Sequence, residues 1–340
     1  MSVERGVVRR QSSAEEHDGR RIPLVIVVLI LAWGTTFAAV KLGVAASPPL
    51  LFAGLRSLIG GTAIAALAVL RGRRPRIRGT AAVYVLLTVM NVIGFFGLQT
   101  LAIQLLPSGL AAVLTYLQPV ITGILAAFLL GERLSARKFG GTLLAFAGIA
   151  VVSTAAITGN VSGPGVAFAA CGALTWSLGT VTFKLSQGCV DPWWAVALPF
   201  IAGGAVLTVA GLLTEGPDVR WSGEFAAALI YSGLVGTGLA WALWFALLSS
   251  GEATTASTYV FFVPLVSLLV GAVFLGEQIG PSLFVGSALV VAGVSLVNWK
   301  HRQSRQMARR ETPAPHIRRH RAPSTIPEHV ASAEDSTGQT

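Results

Sequence analysis

Pro119, Leu130-Gly131-Glu132, Gly141 and Gly148 recur as Pro264, Leu275-Gly276-Glu277, Gly286 and Gly293, each 145 residues further along the chain. The segments 117–152 and 262–297 align without a gap and share eleven identities. Each copy lies within a nearly continuous run of hydrophobic spans. Duplicating a membrane unit with an odd number of spans turns the second copy upside down. That arrangement implies an alternating-access carrier.

Composition points the same way. Hydrophobic residues make up 53% of the 340 and charged residues only 12%, with a mean hydropathy of +0.70 and 38 glycines. Soluble domains carry roughly 25% charged residues. Stretches of about 20 apolar residues cross a bilayer as helices, because lipid offers no partner to free backbone groups. Ten are expected: 22–42, 49–70, 80–101, 108–130, 138–157, 165–184, 193–214, 224–248, 255–275 and 281–299. The expected fold is therefore an all-α integral membrane protein. Its ten transmembrane helices form two inverted five-helix repeats, 22–157 and 165–299, between disordered cytoplasmic tails at 1–21 and 300–340.

Arginine and lysine set the expected orientation. With the N-terminus inside, 22 of the 25 basic residues fall on the cytoplasmic side. They include Arg71, Arg73, Arg74, Arg76 and Arg78 after span 2 and Arg133, Arg137 and Lys138 after span 4. Lys41 and Arg220 fall outside, and Arg56 lies within span 2. So strong a bias predicts a multi-pass protein of the cell (inner) membrane with both termini cytoplasmic. Nine or eleven spans would destroy it.

The first hydrophobic stretch runs through Trp33 and Lys41 without an A-x-A site, so it reads as a permanent span rather than a cleaved signal. Cys171 and Cys189 lack metal-ligand or redox spacing and read as small packing residues. The tails are poor in large apolar residues and cannot bury enough surface to fold alone. Their basic stretch 300–321 suits anionic lipid headgroups. A pI near 10.6 also raises nucleic acid as a partner. The positive-inside pattern accounts for the basicity, and the tail lacks interleaved aromatics, so no nucleic acid is expected.

Span 1 ends Ala32-Trp33-Gly34-Thr35-Thr36-Phe37-Ala38-Ala39-Val40-Lys41-Leu42-Gly43, and Pro48-Pro49 and Phe52-Ala53-Gly54-Leu55-Arg56 follow. Together with the duplicated block, this resembles the EamA family of the drug/metabolite transporter superfamily over residues 22–298. The resemblance implies a ten-helix, two-repeat carrier exporting small metabolites, often amino acids or related compounds, across the bacterial inner membrane.

Candidate site residues follow from depth and symmetry. Trp33 and Lys41 recur as Trp176 and Lys184, again eight residues apart. Both tryptophans fall near mid-bilayer, although tryptophan ordinarily favours the interfaces. They read either as aromatic walls of a substrate cavity or as large side chains filling a gap between helices. Pro119 and Pro264 sit midway along spans 4 and 9 and free the carbonyls of Thr115 and Val260. They read as hinges at a transport site or as tolerated kinks. Asn91, Gln99, Tyr116, Gln118, Trp241 and Tyr259 complete the substrate-binding candidates.

Glu132 and Glu277 close their spans at opposite faces, where a carboxylate gates, carries a proton, pairs with a cation or caps a loop. Gly141/Gly148 and Gly286/Gly293 are spaced two helical turns apart, which suits close helix packing. Arg56 is a candidate anion contact, since intramembrane charge is costly. It equally suits snorkelling or bonding to helix carbonyls, and the resemblance implies this structural role.

All five histidines lie in the tails, and no Asp or Glu falls in the middle of a span. A buried proton relay is therefore not expected, and recognition falls to neutral polar and aromatic groups. No catalytic constellation, metal site or cofactor motif is evident, and no phosphate-binding G-x-x-x-x-G-K-[ST] loop. A channel or a transporter-derived membrane sensor is the alternative class, and an integral-membrane enzyme the weakest. A monomer suffices to enclose a cavity, and a homodimer is compatible.

Overall fold

The computed structural model describes residues 2–106, 114–133, 135–153, 162–251, 253–275, 281–282, 284–286 and 288–297, and of 2–21 the backbone alone. Glu277 and the C-terminal unit Lys300–Thr340 lie outside the described residues. Among the described residues the regular structure is helical, with no strand beyond an isolated bridge between Gln187 and Val190.

Six helices are long and apolar enough to cross a membrane. These are Ile22–Ala46 within α1 (Ser2–Ala46), α2 (Pro49–Leu70), α3 (Ala81–Leu105), α6 (Gly163–Leu185), α7 (Pro192–Thr214) and α8 (Gly223–Ser249). The others are shorter or less apolar. They are α4 (Gln118–Leu129), α5 (Ala136–Ser153), α9 (Ala253–Thr258, a tight turn Tyr259–Phe262, then Val263–Leu275) and α10 (Phe284–Val297). The chain is a multi-pass membrane protein.

Local chemistry sets the helix ends. Asp191 caps α7, accepting bonds from Trp193 N and Trp194 N ahead of a first turn that begins with Pro192. Ser162 and Ser222 cap α6 and α8 through Gly165 N and Phe225 N. Gly131 of the repeated block adopts φ 65° just past α4, a conformation glycine accepts at no steric cost.

The helices of the two halves interleave. α2 packs against α7; α1 of the first half packs against α8 and α9 of the second, and its counterpart α6 packs in the same way against α3 and α4 of the first. Glycines bring the backbones together. A Cβ on Gly61 would lie 2.8 Å from Ile201 N, and one on Gly211 2.5 Å from Leu51 N, so α2 and α7 run antiparallel. The repeated glycines do the same for α5 and α10. A Cβ on Gly141 would lie 2.8 Å from Gly293 O and one on Gly148 2.6 Å from Gly286 O. The spacing read as packing in the sequence is packing in the fold. Large apolar side chains such as Leu70, Phe128 and Leu213 face outward, as in a helix bundle bounded by lipid.

Candidate substrate cavity

A chain of aromatic rings fills the middle of the bundle. Trp33 of α1 and Trp176 of α6 meet edge to face with centroids 5.4 Å apart. Trp241 and Trp244 of α8 lie 6.0 and 5.8 Å from Trp33. Phe95 of α3 stacks on Trp176 at 4.7 Å, and Phe96 lies 5.7 Å from Trp241.

Beside this cluster opens a cavity of about 40 Å³, room for one or two waters. Its lining includes Trp33, Arg56, Gln99, Tyr116, Trp176 and Trp241. Five of the eight substrate-binding candidates therefore share one cavity, together with Arg56. The other three sit elsewhere. Asn91 is buried against Gly179 of α6. Gln118 is buried, donating to Thr122 Oγ1 at 2.8 Å and to Thr180 Oγ1 at 3.4 Å. Tyr259 begins the tight turn in α9 and packs against the core, outside the cavity lining. Phe37, Phe95, Phe96 and Gly236 also line the cavity, though nothing in their sequence positions singles them out.

The cavity is one-sided. Along α1 its lining runs from Trp33 to Val40, and along α3 from Phe95 to Ile103, toward the end opposite the basic loops. On the basic side the core is filled. Phe183, at the position equivalent to Val40 in the repeat, stacks on Phe245 with centroids 4.0 Å apart.

Polar contacts tie that basic end together. Glu132 Oε1 accepts from Ala253 N at 2.7 Å, and its Oε2 from Thr254 Oγ1 at 2.7 Å and Thr254 N at 3.2 Å. Glu132 thus binds the N-terminus of α9, in the opposite half of the chain, where a negative charge is favoured. Lys184 Nζ donates to Gly251 O at 2.6 Å and Leu248 O at 3.0 Å. Arg73 pairs with Asp191 at 2.9 Å, and Trp194 Nε1 donates to Arg73 O at 3.1 Å.

Backbone irregularities flank the cavity. Two π-helical stretches, Thr88–Gly97 in α3 and Ser232–Leu239 in α8, occupy matching places in the halves. Such insertions are frequent at functional sites. Pro119 and Pro264 each fall in the first turn of a helical segment. The chain turns at Tyr116 and Leu117 before α4, and at Tyr259–Phe262 before Val263–Leu275. Each proline thus follows a local irregularity in a backbone that stays right-handed helical on both sides of it.

The model of the EamA-like transporter family matches residues 21–154 and again 163–299, one match per half. The chain belongs to the EamA-like transporter family. It is 36% identical to the transporter YvbV of Bacillus subtilis over 289 residues, which is 85% of this chain and 95% of that one. It is 29% identical to a probable amino-acid metabolite efflux pump of Salmonella typhimurium, over 81% of this chain and 94% of that one. A solved crystal structure superposes with a TM-score of 0.72 at 24% identity, covering 84% of this chain and 99% of that one, and shares the fold. In this EamA-like transporter the family match divides the chain where the repeated block divides it. The aromatic cavity draws on both halves.

Proposed function

We propose that this chain is a secondary transporter exporting small metabolites, amino acids or related compounds, across the inner membrane by alternating access. Ten spans in two inverted five-helix repeats would carry it, with both termini cytoplasmic. The observation that supports this best is the asymmetry around the Trp33–Trp176 pair. Val40 leaves space on one side of the pair, while its repeat counterpart Phe183 is stacked on Phe245 on the other. An inverted pair of repeats that exchange these two packings would expose one site to each face in turn. The helix irregularities before Pro119 and Pro264 supply matching places for that motion, and Glu132 and Lys184 hold one end shut. With room for only one or two waters, the site must widen to admit a metabolite.

Among the described residues no acidic or histidine side chain lines the cavity. Transport by facilitated diffusion or exchange fits this lining, with coupling confined to groups at the span ends. The basic tails would rest on anionic headgroups, and one chain is enough to form the pathway.

Comparing extracellular metabolites with and without overexpression selects a candidate cargo, and reconstituted vesicles test it. Saturable uptake with trans-stimulation by internal cargo is expected. Continuous current without saturation would replace the carrier with a channel.

A further inference from the structure

Arg56 is only 4% exposed, and its guanidinium carbon stands 4.2 Å over the centroid of the Phe96 ring. Its Nε has no hydrogen-bond partner. Arg56 lines the cavity, whose other polar lining is Thr36, Gln99, Tyr116 and the tryptophan N–H groups. The acidic residues with described side chains (Glu132, Asp191, Glu215, Asp218 and Glu224) all stand in loops or near helix ends. A second donor is also idle. Trp33 Nε1 donates to Gly236 O at 3.1 Å, whereas Trp176 Nε1, 2% exposed as a residue, has no partner.

A buried cation with an unmet donor is costly, and arginine's planar fork matches a carboxylate. If Arg56 served only to pack helices, helix carbonyls would be expected to take its donors, yet the contact seen is with a ring face. The aromatic walls alone would attract a cationic ligand. Arg56 reverses that preference, because like charges repel more strongly than a ring quadrupole attracts in a site shielded from water. The walls in turn disfavour a small, strongly hydrated anion.

Resting on the carrier reading of this cavity, we propose that its cargo comes from the related compounds rather than the amino acids themselves: an organic carboxylate with an aromatic or similarly bulky apolar body and no cationic group close to the acid. The carboxylate is received by Arg56. The body lies against Trp33, Trp176, Trp241 and Phe95, which face the cavity, and Trp176 Nε1 is left for an acceptor on it.

Phenylacetate and phenethylamine share a benzyl skeleton and differ in charge, so titrating each into the purified full-length protein, read by tryptophan fluorescence and thermal shift, tests the proposal. Phenylacetate should saturate and phenethylamine should not. Arg56→Gln should weaken phenylacetate by at least about tenfold, the scale of losing charge-assisted bonds, with Arg56→Lys in between and the exposed loop variant Arg78→Gln unchanged. Saturation by phenethylamine at equal or lower concentration would overturn the proposal. So would no saturation by phenylacetate, or undiminished phenylacetate binding by folded Arg56→Gln. If Arg56→Gln does not fold, the wild-type pair of titrations and Arg56→Lys still decide. Counterflow of the metabolite found by overexpression judges the carrier reading separately, and it can succeed when the carboxylate assignment fails.

Discussion

Trp33 and Trp176 occupy equivalent places in the two halves and meet with ring planes at 90°, yet only Trp33 has its N–H bonded, to Gly236 O. Replacing either with phenylalanine removes the same ring volume. Only Trp33→Phe also deprives a buried carbonyl of its donor. Trp33→Phe should therefore lower stability by about 1 kcal/mol more than Trp176→Phe, in line with interhelical bonds in membranes. Thermal unfolding of both variants in one detergent checks this. Equal losses would mean that the bond to Gly236 contributes nothing.

The adjacent glycines Gly140 and Gly141 give a matched pair. A Cβ on Gly140 meets nothing within 4 Å, whereas one on Gly141 would stand 2.8 Å from both Gly293 O and Val297 Cγ2. Gly140→Ala should leave the melting temperature unchanged or slightly raised, because alanine suits a helix better than glycine. Gly141→Ala should destabilise by about 1–3 kcal/mol, the usual cost of overpacking. Similar melting temperatures would place α5 and α10 further apart than the structure has them.

Much of this was legible in the sequence because lipid imposes it. Span lengths follow from bilayer thickness, and the six long helices fall within a few residues of their expected limits. Trp33 and Trp176 were found through symmetry, and the repeated glycines through spacing. Which polar residues face the cavity was not legible. A helix surrounded by lipid and protein is apolar on every side, so Asn91 and Gln118 gave no sign of their direction. The π-helical stretch in α3 adds a residue to the turn and shifts the faces beyond it. Within that stretch Asn91 packs into α6 while Phe95 and Phe96 reach the cavity, and Gln99 beyond it does too. Phe95 and Phe96 carried no signal that separates a cavity wall from ordinary packing.

Thr36 and its repeat counterpart Gly179 form complementary contacts. Thr36 of α1 packs on Gly236 of α8, and Gly179 of α6 receives Asn91 of α3. A methyl group on Gly179 would overlap the Asn91 amide. Gly179→Ala alone should cost about 1–3 kcal/mol. Adding Asn91→Ala, which removes the clashing atoms, should restore at least half of the loss. A double-mutant cycle on unfolding measures the coupling. Additive effects would mean that α3 and α6 do not touch at these residues.

Glu132 holds the first residues of α9 from across the bundle, and Glu132→Gln keeps its shape while removing the charge. Hydrogen bonds to a charged group contribute about 1.5–3 kcal/mol each where they persist, roughly twice a neutral bond. Losing even 1.4 kcal/mol of that preference would shift the balance between a closed and an open basic end by about tenfold. Ser257, fully buried in α9, reports on that opening. In a background with Cys171 and Cys189 replaced by serine, Ser257→Cys should react slowly with a water-soluble maleimide. Adding Glu132→Gln should speed the reaction about tenfold without changing the protein's helical content. An unchanged labelling rate in that variant would reduce Glu132 to a simple helix cap, with the basic end held shut by Lys184 and the Phe183–Phe245 stack instead.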